Sequence, residues 1–423
     1  MKFAIAPGVY DILPQDPQDP WKSSYLWNYI ENVIRELATC YGFREIRTPL
    51  FERTELFQRA VGETSDIVSK EMYTLIDKGG RSLSLRPEGT APAMRAFIEN
   101  QLQATAPVHK LFYICPMFRY ERSQAGRYRQ HHQFGAEVIG IDSAEQDAEL
   151  IDLLYSLYNR LGLTHLEVNI NSIGDTSCRI AFRKALQDYL RDRFDELSPD
   201  SKLRFETNPL RILDSKDLQD KAITANAPCM TDYLSEASRE HFETLKKLLN
   251  VLKIPFKINP TLVRGLDYYN RTVFEITAGE LGAQNSIAGG GRYDGLLKTL
   301  GGPDLPAIGF GTGLERVLQT MLKQQVELPS PPKPFIYMIP LGEEAKAVCF
   351  TLLQQLRKQG IFAEMDFSTR KLGKTMNYAN QIGATYVAVI GEEELKTEEV
   401  SLKEMSTGKI TKAPLYQLER LYV

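Results

Sequence analysis

Residues Phe118 to Gly140 read FRYERSQAGRYRQHHQFGAEVIG, and this stretch decides how the rest of the chain is interpreted. Aromatic and β-branched residues dominate from Leu111 to Glu121, and Gly126 provides a turn signal after them. The residues from Arg129 to Ile139 return to an extended pattern. The sequence therefore predicts a β-hairpin with Gly126 in its loop.

The two faces of this hairpin differ in chemistry. Strand side chains alternate between faces, so Gln133 and Glu137 share one face of the return strand. The opposite face carries the apolar residues Phe134, Ala136 and Val138. We expect the apolar face to be buried and the polar face to meet a polar ligand.

The hairpin is also rich in positive charge. Four arginines fall within eleven residues: Arg119, Arg122, Arg127 and Arg129. A guanidinium is permanently charged and makes bidentate contacts, which suits phosphate or carboxylate ligands. A salt-bridged sheet face would explain the same arginines, and the hairpin by itself leaves both interpretations open.

The composition is that of an ordinary globular protein. The chain has 423 residues, which predicts two or three domains, and its net charge of −3 gives no overall attraction to nucleic acid. No apolar window is long enough to predict a transmembrane helix, and the short apolar start before Pro7 does not suit a secretory signal. The five cysteines include no CxxC pair, which predicts a reducing, cytoplasmic location without a disulfide framework or a zinc site.

The secondary-structure pattern divides the chain into segments. Strands with flanking helices are predicted over residues 1–170 and again over 254–327, whereas residues 171–253 are mostly helical and predict an insertion. The proline-rich residues 328–334 predict a linker. Residues 335–423 alternate strand and helix, which predicts a small parallel or mixed sheet.

Three further stretches carry candidate chemistry. RPEGT at residues 86–90 places a carboxylate and a hydroxyl before a helix, where they could receive an amino group or where Thr90 could simply cap the helix. LVRGLDYYNRTVFE at 262–275 sets Arg264 before a pair of tyrosines. AGGGRYDGL at 288–296 has successive glycines, which permit close backbone approach to a ligand but also occur in turns.

AIGFGTGLERV at residues 307–317 has the glycine spacing G-x-G-x-G. A dinucleotide fingerprint needs G-x-G-x-x-G, so a Rossmann site is not expected. A strand packed against a helix that turns Arg316 toward a phosphate fits better. The adjacent His131 and His132 would point to opposite strand faces, so we expect no metal site from these side chains.

These stretches together resemble the class II histidyl-tRNA synthetases, over essentially the whole chain. The helix and strand ending at Pro49 resemble motif 1, which builds the dimer interface in that family. The hairpin resembles motif 2 and residues 307–317 resemble motif 3, while 262–275 and 288–296 resemble the two histidine-specific signatures. The resemblance implies an α+β catalytic domain on an antiparallel sheet (1–170 and 254–327), a helical insertion, an α/β anticodon-binding domain (335–423) and a homodimer.

The resemblance also implies roles for individual residues. Catalysis would use Arg264 and Arg119. ATP, accompanied by Mg²⁺, would be bound by Arg119, Glu121, Arg127 and Arg316. Histidine would be bound by Glu88, Thr90, Gln133, Glu137, Tyr268, Tyr269 and Tyr293, of which Glu137 and Tyr269 would recognise the imidazole. The tRNA acceptor end would meet Arg122 and Gln124, and the anticodon would meet Arg370, Lys371, Lys374 and Asn377.

The activity implied is the formation of histidyl-adenylate from L-histidine and ATP, followed by transfer to tRNA(His) with release of AMP and diphosphate. A paralogous, non-catalytic regulatory subunit of ATP phosphoribosyltransferase is the alternative. Such paralogues lack the C-terminal domain and usually lose the arginine signatures, whereas Arg119, Arg264 and Arg316 are all present here. An RNA-binding module without chemistry would leave both histidine-specific signatures unexplained.

Overall fold

The computed structural model describes residues 3–62, 65–121, 127–266, 268–279, 286–368 and 371–422. The chain forms two compact units, Met1–Pro329 and Ser330–Val423. No helix within the described residues is long and apolar enough to cross a membrane.

The first unit contains helices and strands of the following bounds. The helices are α1 (Ser24–Cys40), α2 (Thr54–Val61), α3 (Thr90–Glu99), α4 (Ala144–Arg160), α5 (Thr176–Arg191), α6 (Pro199–Thr207), α7 (Leu218–Thr224), α8 (Glu236–Val251), α9 (Leu296–Thr299) and α10 (Leu314–Lys323). The strands are β1 (Arg44–Glu45), β2 (Phe51–Arg53), β3 (Thr74–Ile76), β4 (Ser82–Leu85), β5 (His109–Phe118), β6 (Gln130–Ile139), β7 (Leu166–Ser172), β8 (Phe256–Ile258), β9 (Asn270–Ala278), β10 (Ser286–Arg292) and β11 (Ala307–Gly313).

Eight of these strands form one sheet in the order β1-β5-β6-β11-β10-β9-β7-β8. Neighbouring strands pair antiparallel, except that β1 with β5 and β7 with β8 are parallel. The predicted hairpin is the β5–β6 pair, in which Phe118 lies opposite Gln130. Phe134, Ala136 and Val138 lie in an apolar core together with residues of α1, α4 and α10, so the predicted apolar face is buried.

The strand expected to end at Pro49 is much shorter in the structure, because only Arg44–Glu45 pairs as β1. Beyond β1, the buried guanidinium of Arg86 binds the segment that leads to β2. Its Nη1 donates to the carbonyl oxygens of Thr48 (2.9 Å) and Pro49 (3.2 Å). Carbonyls held in this way are not available to a strand ladder. The chain instead continues into β2, part of a small sheet of order β2-β4-β3.

Helices α5 to α8 follow one another between β7 and β8, as the helical pattern of that stretch predicts. The start of α5 shows why these helices begin where they do. The carboxylate of Asp175 accepts a hydrogen bond from the Cys178 amide (3.1 Å), which satisfies a backbone donor that the first turn leaves free. The leucines and phenylalanine that α5 buries (Phe182, Leu186, Leu190) recur at helical spacing.

The second unit has helices α11 (Glu343–Lys358), α12 (Leu372–Gln381) and α13 (Glu392–Thr397), and strands β12 (Ile336–Pro340), β13 (Ala363–Met365), β14 (Tyr386–Ile390), β15 (Glu399–Glu404) and β16 (Ile410–Pro414). Its sheet has the order β13-β12-β14-β15-β16. The first three strands in that order are parallel, as βαβ alternation predicts, and β14-β15-β16 pair antiparallel. Buried side chains of α11 and α12 belong to separate apolar clusters, which contain alternate residues of β12 and so lie on opposite faces of this sheet.

Candidate active site

A row of glycines crosses the centre of the large sheet. Gly135 of β6 lies opposite Gly311 of β11, which in turn lies opposite Gly289 of β10. A Cβ at Gly311 would overlap the side-chain amide of Gln133, and one at Gly289 would overlap the guanidinium of Arg264. The glycines therefore make room for other side chains to lie flat across the sheet, and the triple glycine at 289–291 is part of a strand rather than a turn.

Glu137 forms the centre of a buried polar cluster on the same sheet face. Its carboxylate accepts hydrogen bonds from Thr90 Oγ1 (2.8 Å), Tyr113 Oη (3.0 Å) and Tyr293 Oη. Burial raises the pKa of Glu137 to about 8, although the three hydroxyl donors favour its charged form. A carboxyl group that can either accept or donate a proton at neutral pH is suited to an imidazole partner.

Glu88 lies beside this cluster and takes the capping role that Thr90 alone could have filled. Its carboxylate accepts hydrogen bonds from the amides of Thr90 (2.7 Å) and Ala91 (2.9 Å) at the start of α3. Burial raises the pKa of the Glu88 carboxyl group. The Thr90 hydroxyl is consequently free to donate to Glu137, so the RPEGT stretch both caps the helix and contributes to the cluster.

An open cavity beside the cluster is lined by arginines from separate parts of the sequence. Arg119, Arg127, Arg264 and Arg316 all face it, together with Gln133. The Nε of Arg119 donates to the carbonyl oxygen of Pro87 (2.8 Å), which fixes the direction of that side chain. Burial and the neighbouring charge of Arg127 lower the pKa of Arg316. Positive groups held this close favour a strongly anionic ligand such as a polyphosphate.

Two carboxylates partly neutralise the positive charge of this cavity. Glu121 pairs with Arg127 (3.3 Å), and Glu275 pairs with Arg264 (3.6 Å). The Nε of Arg264 is buried and has no hydrogen-bond partner within the described residues. A buried donor without a partner is costly unless a ligand completes it. The side chain of Arg264 can therefore donate a hydrogen bond to a ligand in this cavity.

The paired tyrosines of residues 268–269 pack against Tyr293. The ring centroids of Tyr268 lie 4.6 Å from Tyr269 and 5.4 Å from Tyr293. Burial raises the pKa of all three phenols, so their hydroxyl groups stay protonated and can donate hydrogen bonds. The carbonyl oxygen of Tyr269 accepts a hydrogen bond from Arg179 of α5 (3.0 Å), which ties the helical segment to this wall.

His131 and His132 lie on opposite sides of the hairpin, as strand alternation predicts. His131 lines the arginine cavity, and burial together with the charge of Arg119 lowers its pKa to about 3, so it is neutral. His132 packs against Trp27, with ring centroids 4.8 Å apart, and its Nδ1 lies 3.1 Å from Glu315 Oε1. No cluster of three metal-ligating side chains occurs in the part of the chain that the structure describes.

Comparison with known proteins agrees with this geometry. A histidyl-tRNA synthetase family model matches residues 22–317, and an anticodon-binding domain model matches residues 336–421. The chain is 67% identical to the histidine–tRNA ligase of Protochlamydia amoebophila over 99% of both chains. The chain belongs to the histidyl-tRNA synthetase family. A crystal structure of the apo histidyl-tRNA synthetase of S. aureus matches with a TM-score of 0.84 and 37% identity over the full length of both chains.

The fold alone would not have separated this family from its regulatory paralogues. A structure described as an ATP phosphoribosyltransferase regulatory subunit/histidyl-tRNA synthetase, from Bacillus halodurans, matches with a TM-score of 0.65 over 92% of this chain and 99% of that one. At 23% identity this likeness shows the fold only. The fold class predicted from the sequence, including the C-terminal α/β domain, is confirmed by the match to the histidyl-tRNA synthetases.

Sequence reasoning missed two residues that hold the buried polar cluster in place. Tyr113 bonds Glu137 from the neighbouring strand, and its ring covers Gly135. Arg292, within the AGGGRYDGL signature, is fully buried between Asp147 (2.6 Å) and Asp294 (2.9 Å) and holds the end of β10 beside Tyr293. Two sequence signals could have identified these residues. Tyr113 is a tyrosine on a strand paired with one that contains a glycine, and Arg292 is an arginine inside a signature stretch.

The residues predicted to contact tRNA are not among the described residues of this cavity or cluster. Arg122, Gln124 and Arg370 fall outside the described residues. Lys371, Lys374 and Asn377 lie in the second unit at the start of α12, where their side chains are exposed. Glu88, Thr90, Glu137 and Tyr293 form the buried cluster, whereas Arg119, Glu121, Arg127, Gln133, Arg264 and Arg316 line the adjoining cavity.

Proposed function

We propose that this chain is an ATP-dependent histidine–tRNA ligase that forms histidyl-adenylate and transfers the histidyl group to tRNA(His). The observation that carries the proposal is the direct adjacency of two unlike sites. Gln133 lines the arginine cavity, and Glu137, four residues later on the same face of β6, lies inside the buried polar cluster. A polyphosphate and a small polar amino acid would meet at that boundary.

The first chemical step needs positioning and charge neutralisation more than a protein base. A carboxylate oxygen of histidine attacks the α-phosphorus of ATP, and the bond to the β-phosphate oxygen breaks as diphosphate leaves. The α-phosphate and the attacking carboxylate are both negatively charged and repel one another. Arg119 and Arg264 would hold these two groups together. Arg127 and Arg316 would bind the departing phosphates, and Glu121 would contact the adenine.

Specificity for histidine would come from the buried cluster. Glu137 and Tyr269 would engage the two imidazole nitrogens, with Tyr268 and Tyr293 lining the pocket and with Glu88, Thr90 and Gln133 receiving the α-amino group. An amino acid without those nitrogens would leave buried polar groups unpaired. Comparable sites discriminate by about 10⁴–10⁵ for this reason.

Mg²⁺ would accompany ATP at this site. Magnesium is usually held by one or two carboxylates plus substrate phosphates. Glu315 lines the cavity, and its Oε2 is buried without a hydrogen-bond partner among the described residues, so one carboxylate oxygen is available. The residues present therefore fit the ion, which would supply neutralisation of phosphate charge when bound.

The transfer step would bring the tRNA acceptor end to the hairpin loop, where Arg122 and Gln124 are the proposed contacts. The terminal ribose hydroxyl attacks the carbonyl carbon of the adenylate, and AMP leaves.

A homodimer is proposed from the resemblance of the first helix and strand to motif 1. It is supported by Phe51 and Leu75, which are exposed on one face of the small sheet. A cytoplasmic location is proposed because all five cysteines are free thiols.

Histidine-dependent exchange of pyrophosphate into ATP is the test of the catalytic proposal. The purified chain should catalyse this exchange without any partner protein, and other amino acids should not replace histidine. A regulatory paralogue would not catalyse it. Absence of exchange in pure, folded protein would contradict the proposed activity.

Removal of residues 335–423 is expected to raise the KM for tRNA far more than the KM for ATP or histidine. The physical reason is that the arginine cavity and the Glu137 cluster are built from residues of the first unit alone. Steady-state aminoacylation and pyrophosphate exchange measure the three constants. An equal change in all three would contradict the assignment of tRNA binding to this segment.

Glu137→Gln is expected to gain stability relative to the parent chain as the pH rises from about 5 to 8. The folded-state pKa of Glu137 is raised to about 8. Unfolding therefore releases its proton between the ordinary glutamate pKa and this value, and the parent loses stability as pH rises. Glutamine does not titrate. The Tm difference between variant and parent, measured across this range, should grow with pH; a constant difference would refute the shifted pKa.

A further inference from the structure

Tyr269 and Tyr293 lie just beyond the ends of the paired strands β9 and β10. β9 begins at Asn270 and β10 ends at Arg292, and these two residues form the last pair between the strands. A register shift separates that pair from the regular pairing that ends at Gly291. The strand ladder therefore does not fix the relative placement of the two tyrosine rings, whose centroids are 6.3 Å apart.

Asn270 and Asp294, the residues that directly follow these tyrosines, are joined by two hydrogen bonds. With its side-chain oxygen and nitrogen assigned so that both are satisfied, Asn270 donates to Asp294 Oδ2 (3.2 Å) and accepts from the Asp294 amide (3.2 Å). This pair of residues links the segment that carries Tyr269 to the segment that carries Tyr293.

The carboxylate of Asp294 has further partners that hold it in place. Its Oδ1 accepts hydrogen bonds from Arg292 Nη2 (2.9 Å) and from the Ala307 amide (3.1 Å). The Tyr293 amide donates to the Ala307 carbonyl (2.8 Å), so Tyr293 and Asp294 are both attached to the start of β11. A carboxylate bound at both oxygens has a defined orientation, and it imposes that orientation on Asn270.

Arg292 connects the same pair to two helices. Its Nη1 donates to Asp147 Oδ1 of α4 (2.6 Å), and the other oxygen of Asp147 lies 2.8 Å from His241 Nε2 of α8. Arg292 and Asp147 are both fully buried. A buried polar network in which each charge is paired is rigid, because breaking any contact leaves a buried charge without its partner.

The backbone next to Asn270 is strained. Arg271 has a φ of +43°, in the left-handed region that residues other than glycine rarely adopt. Its amide donates to the Gly174 carbonyl (2.8 Å), and its guanidinium pairs with Asp142. Such a conformation persists only where the surrounding contacts determine it. Tertiary contacts, rather than local preference, thus set the course of the chain that leaves Tyr269.

We propose that Asn270 is a positioning residue for histidine recognition, and that its pairing with Asp294 sets the relative placement of Tyr269 and Tyr293 around the imidazole. This role rests on the proposed function, in which the two tyrosines bind histidine. Asn270 and Asp294 contribute without touching the substrate. Side chains already held in their productive geometry lose less conformational freedom when the ligand binds.

Asn270→Ala in the full-length chain tests this role. The KM for histidine in pyrophosphate exchange should rise about tenfold, because small displacements of positioned groups have large effects. The kcat and the KM for ATP should stay within about twofold of the parent, since a loss confined to histidine binding appears in its KM. A merely structural role would reduce the amount of folded enzyme, which lowers the total activity without changing the KM for histidine.

Asn100→Ala is the matched control for this variant. The Asn100 side chain also donates a hydrogen bond, to the Ala96 carbonyl within α3 (2.8 Å), but it is remote from the pair. This control should keep the parent's KM for histidine. An Asn270→Ala enzyme with the same KM for histidine as Asn100→Ala would overturn the positioning role.

Reversing the pair tests the coupling without deleting a polar group. Asn270→Asp places two carboxylates face to face, and the KM for histidine should rise about tenfold or more. Adding Asp294→Asn to that variant exchanges donor and acceptor, so every hydrogen bond between the two side chains can form again. Arg292 keeps its ion pair with Asp147 in this double variant. The KM should return to within about threefold of the parent, whereas additive effects of the two substitutions would overturn the coupling.

Failure of this inference is distinguishable from failure of the proposed function. If the function is wrong, the parent chain shows no histidine-dependent exchange. If only the inference is wrong, the parent catalyses exchange and the Asn270 variants bind histidine as the parent does. Thermal unfolding of each variant checks that the first unit remains folded.

Discussion

Replacing Arg119 by alanine is expected to lower histidine-dependent pyrophosphate exchange by about a thousandfold or more while the chain stays folded. Arg119 lines the cavity with its direction fixed by the Pro87 carbonyl. The negative charge that develops as a carboxylate attacks a phosphate needs a positive group already in position. Loss of the guanidinium removes that stabilisation, and lysine at this position should restore only part of it, because an ammonium lacks the planar fork.

The fold should tolerate this change. The charged guanidinium of Arg119 donates one hydrogen bond to the Pro87 carbonyl, which contributes about 1.5–3 kcal/mol, and it lies 4.0 Å from Glu121. Its removal also relieves repulsion from the other cavity arginines. Arg160→Ala is a suitable control, since Arg160 is a surface residue paired with Glu36. Exchange within threefold of the parent for Arg119→Ala would contradict the catalytic role, and a large fall in Tm would indicate a structural one.

Gly309→Ala is expected to raise the KM for histidine by about a hundredfold or to abolish exchange. A Cβ at Gly309 would overlap the carboxylate of Glu137, lie 2.6 Å from Tyr293 Oη and lie 2.8 Å from the carbonyl oxygen of Ala136. Neither a strand backbone nor a fully buried carboxylate can move aside easily, because protein interiors are close-packed. The cluster that is proposed to recognise the imidazole would be displaced.

The matched control for this variant is Gly295→Ala. An added Cβ at Gly295 meets no atom within 4 Å, so that alanine should leave both activity and Tm near the parent values. Overpacking at Gly309 should destabilise the chain by about 1–3 kcal/mol. The KM for ATP should change much less than the KM for histidine. A Gly309→Ala enzyme with normal histidine affinity would show that Glu137 does not bind the amino acid.

Much of the fold was predictable because its signals are local. The pairing of β5 with β6 follows from strand alternation, while the predicted turn at Gly126 lies outside the described residues, and the βαβ start of the second unit follows from alternating strand and helix patterns. The early end of β1 was not predictable. The segment after it is bound by a residue distant in sequence, Arg86, whose guanidinium donates to the carbonyls of Thr48 and Pro49.

The residues of the candidate site also fall into two groups, those that local sequence motifs identify and those that only tertiary contacts reveal. Arg119, Arg264 and Arg316 could be named from their motifs, because each sits in a recognisable local pattern. Tyr113 and Glu275 could not, since each matters only through a partner from elsewhere in the chain: Glu137 on the neighbouring strand β6 for Tyr113, and Arg264 in the segment between β8 and β9 for Glu275. The exposed aromatic residues Phe362 and Phe367 likewise flank a short strand, β13, and form a cleft only because α12 packs beside it.

The amino-acid sequence by itself determined which motifs this chain carries, their order, and hence its family and its class of chemistry. Only the tertiary structure decided that Gly135, Gly311 and Gly289 form one row across three strands. Strand register is set by long-range pairing rather than by local propensity. That row gives Gln133 and Arg264 the room to lie across the sheet and face the cavity that the arginines line.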